Sequence, residues 1–321
     1  MKRALLILLS VMMLFGLTAC GGAEPQVSDV APQTTTTAEP SIDSIIKKAE
    51  LQYPASNDQF KYNVYDTYVE ITEYIGSATA DKVVVPHTLD NLPVYVVGRD
   101  TFGSSCKIKS VVFEDGIHKL SCEFGMNTTL QSATLPATVE FVHGVFRNCY
   151  GLKSVVIPEG VGYLMGTFEH CHALKEVKLP STLVSIGSNT FAYCKELSSV
   201  VISEGLTSIG TEAFAGCKAL KTLVLPKSLT KLDEDVFLSS GLQTIELPES
   251  VTSVGAGLFS GCSNLTSVKV YNAEMAIKPK SGFSVAILFS GCPDSLVVHG
   301  KAGSTIAKQC GQEKILFKLM E

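Results

Sequence analysis

Residues 177–194 read VKLPSTLVSIGSNTFAYC, and residues 200–217 read VVISEGLTSIGTEAFAGC. Laid over one another, they share an opening apolar pair, a glycine in the middle and a closing phenylalanine and cysteine. The phenylalanine recurs along the chain as Phe102, Phe124, Phe146, Phe168, Phe191, Phe214, Phe237 and Phe259, at steps of 22 or 23 residues. No single compact domain has a physical reason to repeat at that interval. A fixed period in this range marks a solenoid, in which each repeat is one coil stacked on the last.

The shared pattern is V-x-[IL]-P-x-x-[VL]-x-x-[IV]-G, a short polar stretch, then F-x-x-C-x-x-L. The opening V-x-[IL] alternates and reads as a short strand whose two end residues point inward. Pro158, Pro180, Pro226 and Pro248 follow it. Proline has no N–H for a ladder, so it ends the strand and turns the chain. Gly187, Gly210 and Gly255 are expected to mark a second bend with a backbone angle other residues dislike. F-x-x-C-x-x-L has apolar residues three apart, which suits one or two turns of 3₁₀ or α geometry. With strands about 4.8 Å apart, roughly nine or ten coils give a rod about 45 Å long.

Both ends depart from the pattern, as terminal repeats must if they are to cover an open core. Residues 41–51 have a helical face of Ile42, Ile45, Ile46 and Ala49, and residues 60–75 alternate like a hairpin. At the other end, residues 296–298, a helix around 304–310 and residues 315–319 read as a closing cap. The step from Phe259 to Phe289 lengthens to 30, and about seven extra residues are expected within 271–283. The expected organisation is therefore a leader at 1–19, a tether at 20–40, an N-terminal helix and hairpin cap at 41–82, the solenoid at 83–295 and a C-terminal cap at 296–321.

These residues resemble the BspA-type leucine-rich repeat family of bacterial surface proteins. The resemblance runs from about Tyr68 to Leu319. It departs from the better-known leucine-rich repeats in lacking their recurring Asn after the strand. It departs from its own pattern at Ser203, where Pro is expected, at Ser240, where Cys is expected, and around Cys122–Leu130. The resemblance implies a right-handed stack of coils on a secreted or surface protein that binds or adheres rather than catalyses.

Lys2 and Arg3 precede an apolar run from Ala4 to Leu17, and the run ends in Leu17-Thr18-Ala19-Cys20. That order reads as a signal peptide, too short to span a bilayer comfortably. Its ending resembles the bacterial lipobox, which implies lipidation at Cys20 and anchorage outside the cytoplasm. Residues 21–40, rich in Thr, Pro and Ala, lack the large apolar side chains that offset chain entropy and read as a disordered tether. The chain carries a formal charge of −5 before Lys2 and Arg3 are removed. An acidic balance argues against a general nucleic-acid binder.

Apart from Cys20, nine cysteines remain. Cys149, Cys171, Cys194, Cys217, Cys262 and Cys292 share one repeat position, with Cys106 close to it. Equivalent residues of adjacent coils lie within bridging distance, but their side chains run parallel, which is poor disulfide geometry. A buried ladder of reduced thiols is therefore expected, with Cys122 and Cys310 outside it and most reactive. His170-Cys171-His172 reads as two surface loop histidines flanking a core cysteine. Asp233-Glu234-Asp235 reads as a solvated acidic turn. Neither a metal motif, a P-loop, a dinucleotide fingerprint nor a nucleophile elbow appears, so no cofactor and no catalysis are expected.

The candidate contact face is the outward column of the V-x-[IL] strands: Val84, Val112, Thr134, Val156, Lys178, Val201, Val224, Glu246 and Lys269. Exposed apolar columns mark interaction surfaces, although Val and Thr also suit any strand. A second candidate is the inserted loop with Lys278, Lys280 and Phe283. An extracellular protein or glycan is the expected partner, with the membrane met only through the N-terminal lipid. A solute-binding lipoprotein is the competing reading, but it needs a cleft between two α/β lobes. A structural scaffold of a cell-envelope complex is another.

Overall fold

The structure, a computed structural model, describes residues 42–280 and 286–320. The chain divides into residues 1–49 and 50–321. In the first unit, Ile42–Lys48 is a helix with Asp43 in its first turn and Lys47 and Lys48 in its last. Those charges oppose the helix dipole at each end.

The second unit is a stack of about 11 coils, one or two more than the sequence count. The extra coils lie within the C-terminal segment read as a cap. Val297–Gly300 and Leu316–Leu319 pair in parallel, in register with Ser267–Val270. They are therefore rungs of the same ladder. The alternation of V-x-[IL] is as expected. In Glu176–Lys178, Val177 is buried between two exposed neighbours, and Leu179 is buried behind them. Pro158, Pro180, Pro226 and Pro248 each accept a hydrogen bond from the N–H three residues on, which closes the turn after the strand.

These strands form three parallel groups. Val83–Val85, Ser110–Phe113, Ser132–Thr134 and Ser154–Val156 make the first. Glu176–Lys178 pairs with Ser199–Val201, and four strands from Thr244–Leu247 to Leu316–Leu319 make the last. Residues 221–226 lie between the second and third groups and form no strand.

A second sheet, read in sequence only as a bend, is the most continuous feature of the molecule. The antiparallel strands Leu51–Ser56, Phe60–Tyr65 and Val69–Tyr74 open it. Parallel rungs then run from Leu92–Val97 to Ala276–Lys278. Most rungs are two or three residues long, too short for alternation to show. The expectation for Gly187, Gly210 and Gly255 needs correcting. None has a positive φ. A Cβ on Gly187 would sit 2.7 Å from the Leu164 carbonyl, and one on Gly255 would sit 2.5 Å from the Glu234 nitrogen. Close approach of the preceding coil selects glycine here. The left-handed backbone comes two residues before the phenylalanines from Phe146 to Phe259, at Gly144, Gly166, Asn189, Glu212, Asp235 and Gly257.

Inside the coils, the phenylalanines form one unbroken ladder. Ring centroids from Phe102 to Phe289 are 4.4 to 5.9 Å apart, with planes within 20° of parallel. The insertion does not break it: Phe259 and Phe289 stack at 5.7 Å. Ala276–Lys278 pairs in register with Ser253–Gly255. The extra residues therefore follow Lys278 rather than filling 271–283. After each phenylalanine the chain makes consecutive three-residue turns. Cys171 N–H donates to the Phe168 carbonyl and Leu174 N–H to the Cys171 carbonyl, the 3₁₀ pattern that the spacing implied.

The last phenylalanine coil has no full coil beyond it to accept its N–H groups. The helix Thr305–Glu313 supplies a substitute. The Glu313 carboxylate accepts from Leu288 N–H and Phe289 N–H, both at 2.8 Å; in the earlier coils from Phe146 on, a carbonyl of the next coil accepts the phenylalanine N–H.

Candidate binding faces

The strand column stands where its register places it. Val84, Val112, Thr134 and Val156 are consecutive partners across four rungs. Lys178 pairs with Val201, and Glu246 with Lys269. Exposure is uneven along it. Val156, Val201 and Val224 show 56%, 53% and 84% of their surface, Val84 shows 38%, and Val112 and Thr134 are half-buried. Val224 lies in the strandless gap at 221–226. The neighbouring column carries hydroxyls, and the Ser132 hydroxyl donates to Ser110 at 3.0 Å.

The C-terminal part of the column satisfies itself. Lys269 Nζ donates to the Glu246 carboxylate at 2.7 Å, and the Tyr271 hydroxyl donates to it at 3.0 Å. Those two hydrogen bonds, Lys269 first, hold the Glu246 carboxyl below its usual range. The column is thus apolar around Val156–Val224, with Lys178 its one cation there, and a closed polar cluster at Glu246–Lys269.

The inserted loop offers less than its composition implied. Lys278 is exposed on the edge of the second sheet, and Phe283 lies outside the described residues, as does Cys20. Lys280 is engaged in an ion pair with Asp235 at 2.5 Å. Asp235 is buried and therefore corrects the reading of 233–235 as a solvated turn. Asp233 pairs with Lys231 at 2.7 Å. Lys280 neutralises a buried carboxylate, which is a structural task.

The cysteines form the expected ladder of free thiols, and five of them have a hydrogen-bonding role that spacing did not reveal. Sγ of Cys171, Cys194, Cys217, Cys262 and Cys292 donates to the carbonyl of Phe146, Phe168, Phe191, Phe237 and Phe259, at 3.0 to 3.2 Å. Each thiol thereby ties its coil to the one before. Burial pushes these thiols up, Cys217 to about 12. The expectation that Cys122 and Cys310 are the reactive pair fails. Both are fully buried, and burial raises both. Cys292 is the one partly exposed thiol among the described residues.

His170 and His172 are not simple loop residues either. His170 stacks on Tyr193 at 4.7 Å, and His172 packs on Tyr150 at 4.8 Å. Both histidines are half-buried. No cluster of three or more His, Cys, Asp or Glu able to hold a metal occurs among the described residues.

The family follows from the repeats. The model of the BspA type leucine rich repeat region matches residues 81–195 and 165–284, six copies in all. That is more than half of the chain, and the chain belongs to this family. Its fold is also that of solved bacterial structures. A leucine-rich repeat protein from Bacteroides ovatus is 22% identical with a TM-score of 0.61, covering 84% of this chain and 77% of that one. A leucine rich cell surface protein from Faecalibacterium prausnitzii is 19% identical with a TM-score of 0.53, covering 78% of this chain and 89% of that one. No curated protein matches the chain significantly.

Proposed function

We propose that the protein is a noncatalytic binding and adhesion module, displayed outside the bacterial cytoplasm and held there by a lipid on Cys20. The stacked coils supply a rigid frame. The column through Val156, Lys178, Val201 and Val224 supplies the contact face for a protein or glycan partner. One observation carries this reading: three valines, each more than half exposed, stand at the same repeat position of the strand column. Water disfavours such a strip unless a partner covers it. The F. prausnitzii relative is described as a cell surface protein, which supports the same placement. The leader ending at Cys20 supports the anchor.

The test is an array of host matrix proteins, mucins, glycans and bacterial surface polymers, probed with the purified protein. The account expects a saturable partner whose binding is weakened by Val156→Glu or Val201→Glu with folding intact. A partner indifferent to both changes contradicts the strand face. For the anchor, mass spectrometry of the cell-purified N-terminal peptide should show acyl chains on Cys20, and Cys20→Ala should release the protein from membranes. Release without any acyl mass on the parent contradicts it.

A further inference from the structure

A second surface lies on the turn edge, away from the strand column. Tyr150, His172, Lys195 and Lys218 each directly follow a ladder cysteine. Backbone bonds fix them in one file. The Tyr150 carbonyl accepts from Ala173 N–H, the His172 carbonyl from Glu196 N–H and the Lys195 carbonyl from Ala219 N–H, at 3.1 to 3.2 Å. The four side chains therefore project from consecutive rungs, about 4.8 Å apart.

Three features of this file have no structural explanation. Lys195 and Lys218 are like charges at equivalent places on adjacent coils, where their mutual repulsion is unfavourable. Neither has a carboxylate within ion-pair distance among the described residues. Lys218 Nζ meets only the backbone carbonyl of Ser239. The His172 Nε2 is covered yet has no hydrogen-bond partner, where buried polar atoms are normally paired. Beside the file, His170 and Tyr193 occupy left-handed backbone, with φ 61° and 60°. Gly216, Gly261 and Gly291 take the same place in other coils. Bulky residues adopt that conformation at a cost. Tyr193 is nonetheless held there 37% exposed, its ring lying against Gly216 where a Cβ would come within 2.6 Å.

We propose that this edge binds an acidic polysaccharide, a linear glycan bearing carboxylate or sulfate groups. The rings of His170 and Tyr193 stack on each other, which occupies one face of each, and the exposed edge of Tyr193 meets the ligand. Aromatic edges are the positive part of the ring quadrupole. Lys195 and Lys218 make one end of the file cationic in a protein of formal charge −5, while at the other end the Glu169 carboxylate lies 3.7 Å from His170 Nε2. Its rung spacing is close to the length of one pyranose unit, so successive sugars fall opposite successive rungs. Sugar hydroxyls meet the exposed edge of Tyr193, while the acid groups meet Lys195 and Lys218. The proposal rests on the reading of the protein as a binding module but uses a different face from the strand column.

Polygalacturonate, neutral dextran, anionic phospholipid vesicles and single-stranded DNA would be titrated against the protein at low and physiological salt. The expected result is binding of polygalacturonate alone. The double variant Lys195→Glu, Lys218→Glu should weaken it by about tenfold or more, with an unchanged urea midpoint. Val201→Glu should leave it unchanged. No binding of polygalacturonate at either salt overturns the proposal. So does equal binding by the double variant, or equal binding of vesicles or DNA to the same lysines. If polygalacturonate fails while a Val201-dependent partner persists, only the acidic-glycan site is lost. If the Val201-dependent partner fails and polygalacturonate binds, the strand face is lost instead.

Discussion

The phenylalanine ladder and the strand column repeat with the same period, yet the chain treats them oppositely. The ladder holds phenylalanine from Phe102 to Phe289, across an insertion, without one exception. The column runs Val, Val, Thr, Val, Lys, Val, Val, Glu, Lys over the same coils. Each ladder ring from Phe124 to Phe259 is packed between two copies of itself. Each column residue has solvent on one side, so packing places almost no demand on it. Identity along the ladder is dictated by the fold, whereas variation along the column is where recognition has room to be written.

Substitutions in the two columns should therefore differ sharply. Phe191→Ala removes a fully buried ring from the middle of the stack and should cost about 3–5 kcal/mol, read as a lowered urea midpoint. A loss below 1 kcal/mol would mean that the ladder is slack and the contrast unfounded.

Alkali should attack the buried side next. Burial raises the ladder thiols, with Cys217 near 12 against an ordinary value of 9.0. Below the ordinary value both folded and unfolded chains keep the proton, so nothing changes. Between the two values only the unfolded chain sheds it. Stability should fall as pH rises from 9 toward 12, by up to about 1.4 kcal/mol per thiol and pH unit. Urea midpoints across that range should decline less steeply in a variant with Cys171, Cys194 and Cys217 changed to Ser. An identical decline in both would remove the thiols from the account.

A smaller effect separates the thiol's hydrogen bond from its volume. Cys194→Ala removes the thiol donor to the Phe168 carbonyl, which keeps only the Cys171 N–H, and should cost about 1 kcal/mol. Cys194→Ser keeps a donor and should cost less. Smaller still, Glu212→Gly relieves a left-handed backbone angle, φ 56°, and should raise the midpoint by about 0.5–1 kcal/mol. At the bottom of the scale, Val201→Glu should change stability by no more than about 0.5 kcal/mol while weakening the partner.

How much was legible follows from the same contrast. The V-x-[IL] strand, its inward ends and the thiol ladder were readable because repetition exposes whatever every coil must bury. The second sheet was not, since rungs such as Ser185–Ile186 and Ser208–Ile209 are two residues long and show no alternation. Glycine was read as a device for backbone angle, but Gly187 and Gly255 make room for the neighbouring coil's backbone. Cys122 and Cys310 were misjudged because membership of a repeat is not the only route to burial. The outward column could be enumerated from the pattern, but the mutual bonding of Glu246, Lys269 and Tyr271 depends on side chains one coil apart. The same holds for Lys280, whose partner Asp235 lies 45 residues earlier in sequence. The file of Tyr150, His172, Lys195 and Lys218 was visible as sequence but had no meaning until the coils were placed in register.

The most direct test of the buried ladder is position-resolved alkylation of the native protein, followed by mass spectrometry. The account predicts that Cys171, Cys194, Cys217 and Cys262 stay unmodified until denaturant is added, that Cys122 and Cys310 stay unmodified with them, and that Cys292 reacts first. Rapid native-state labelling of Cys171 or Cys194 would contradict the stacked core on which the rest depends.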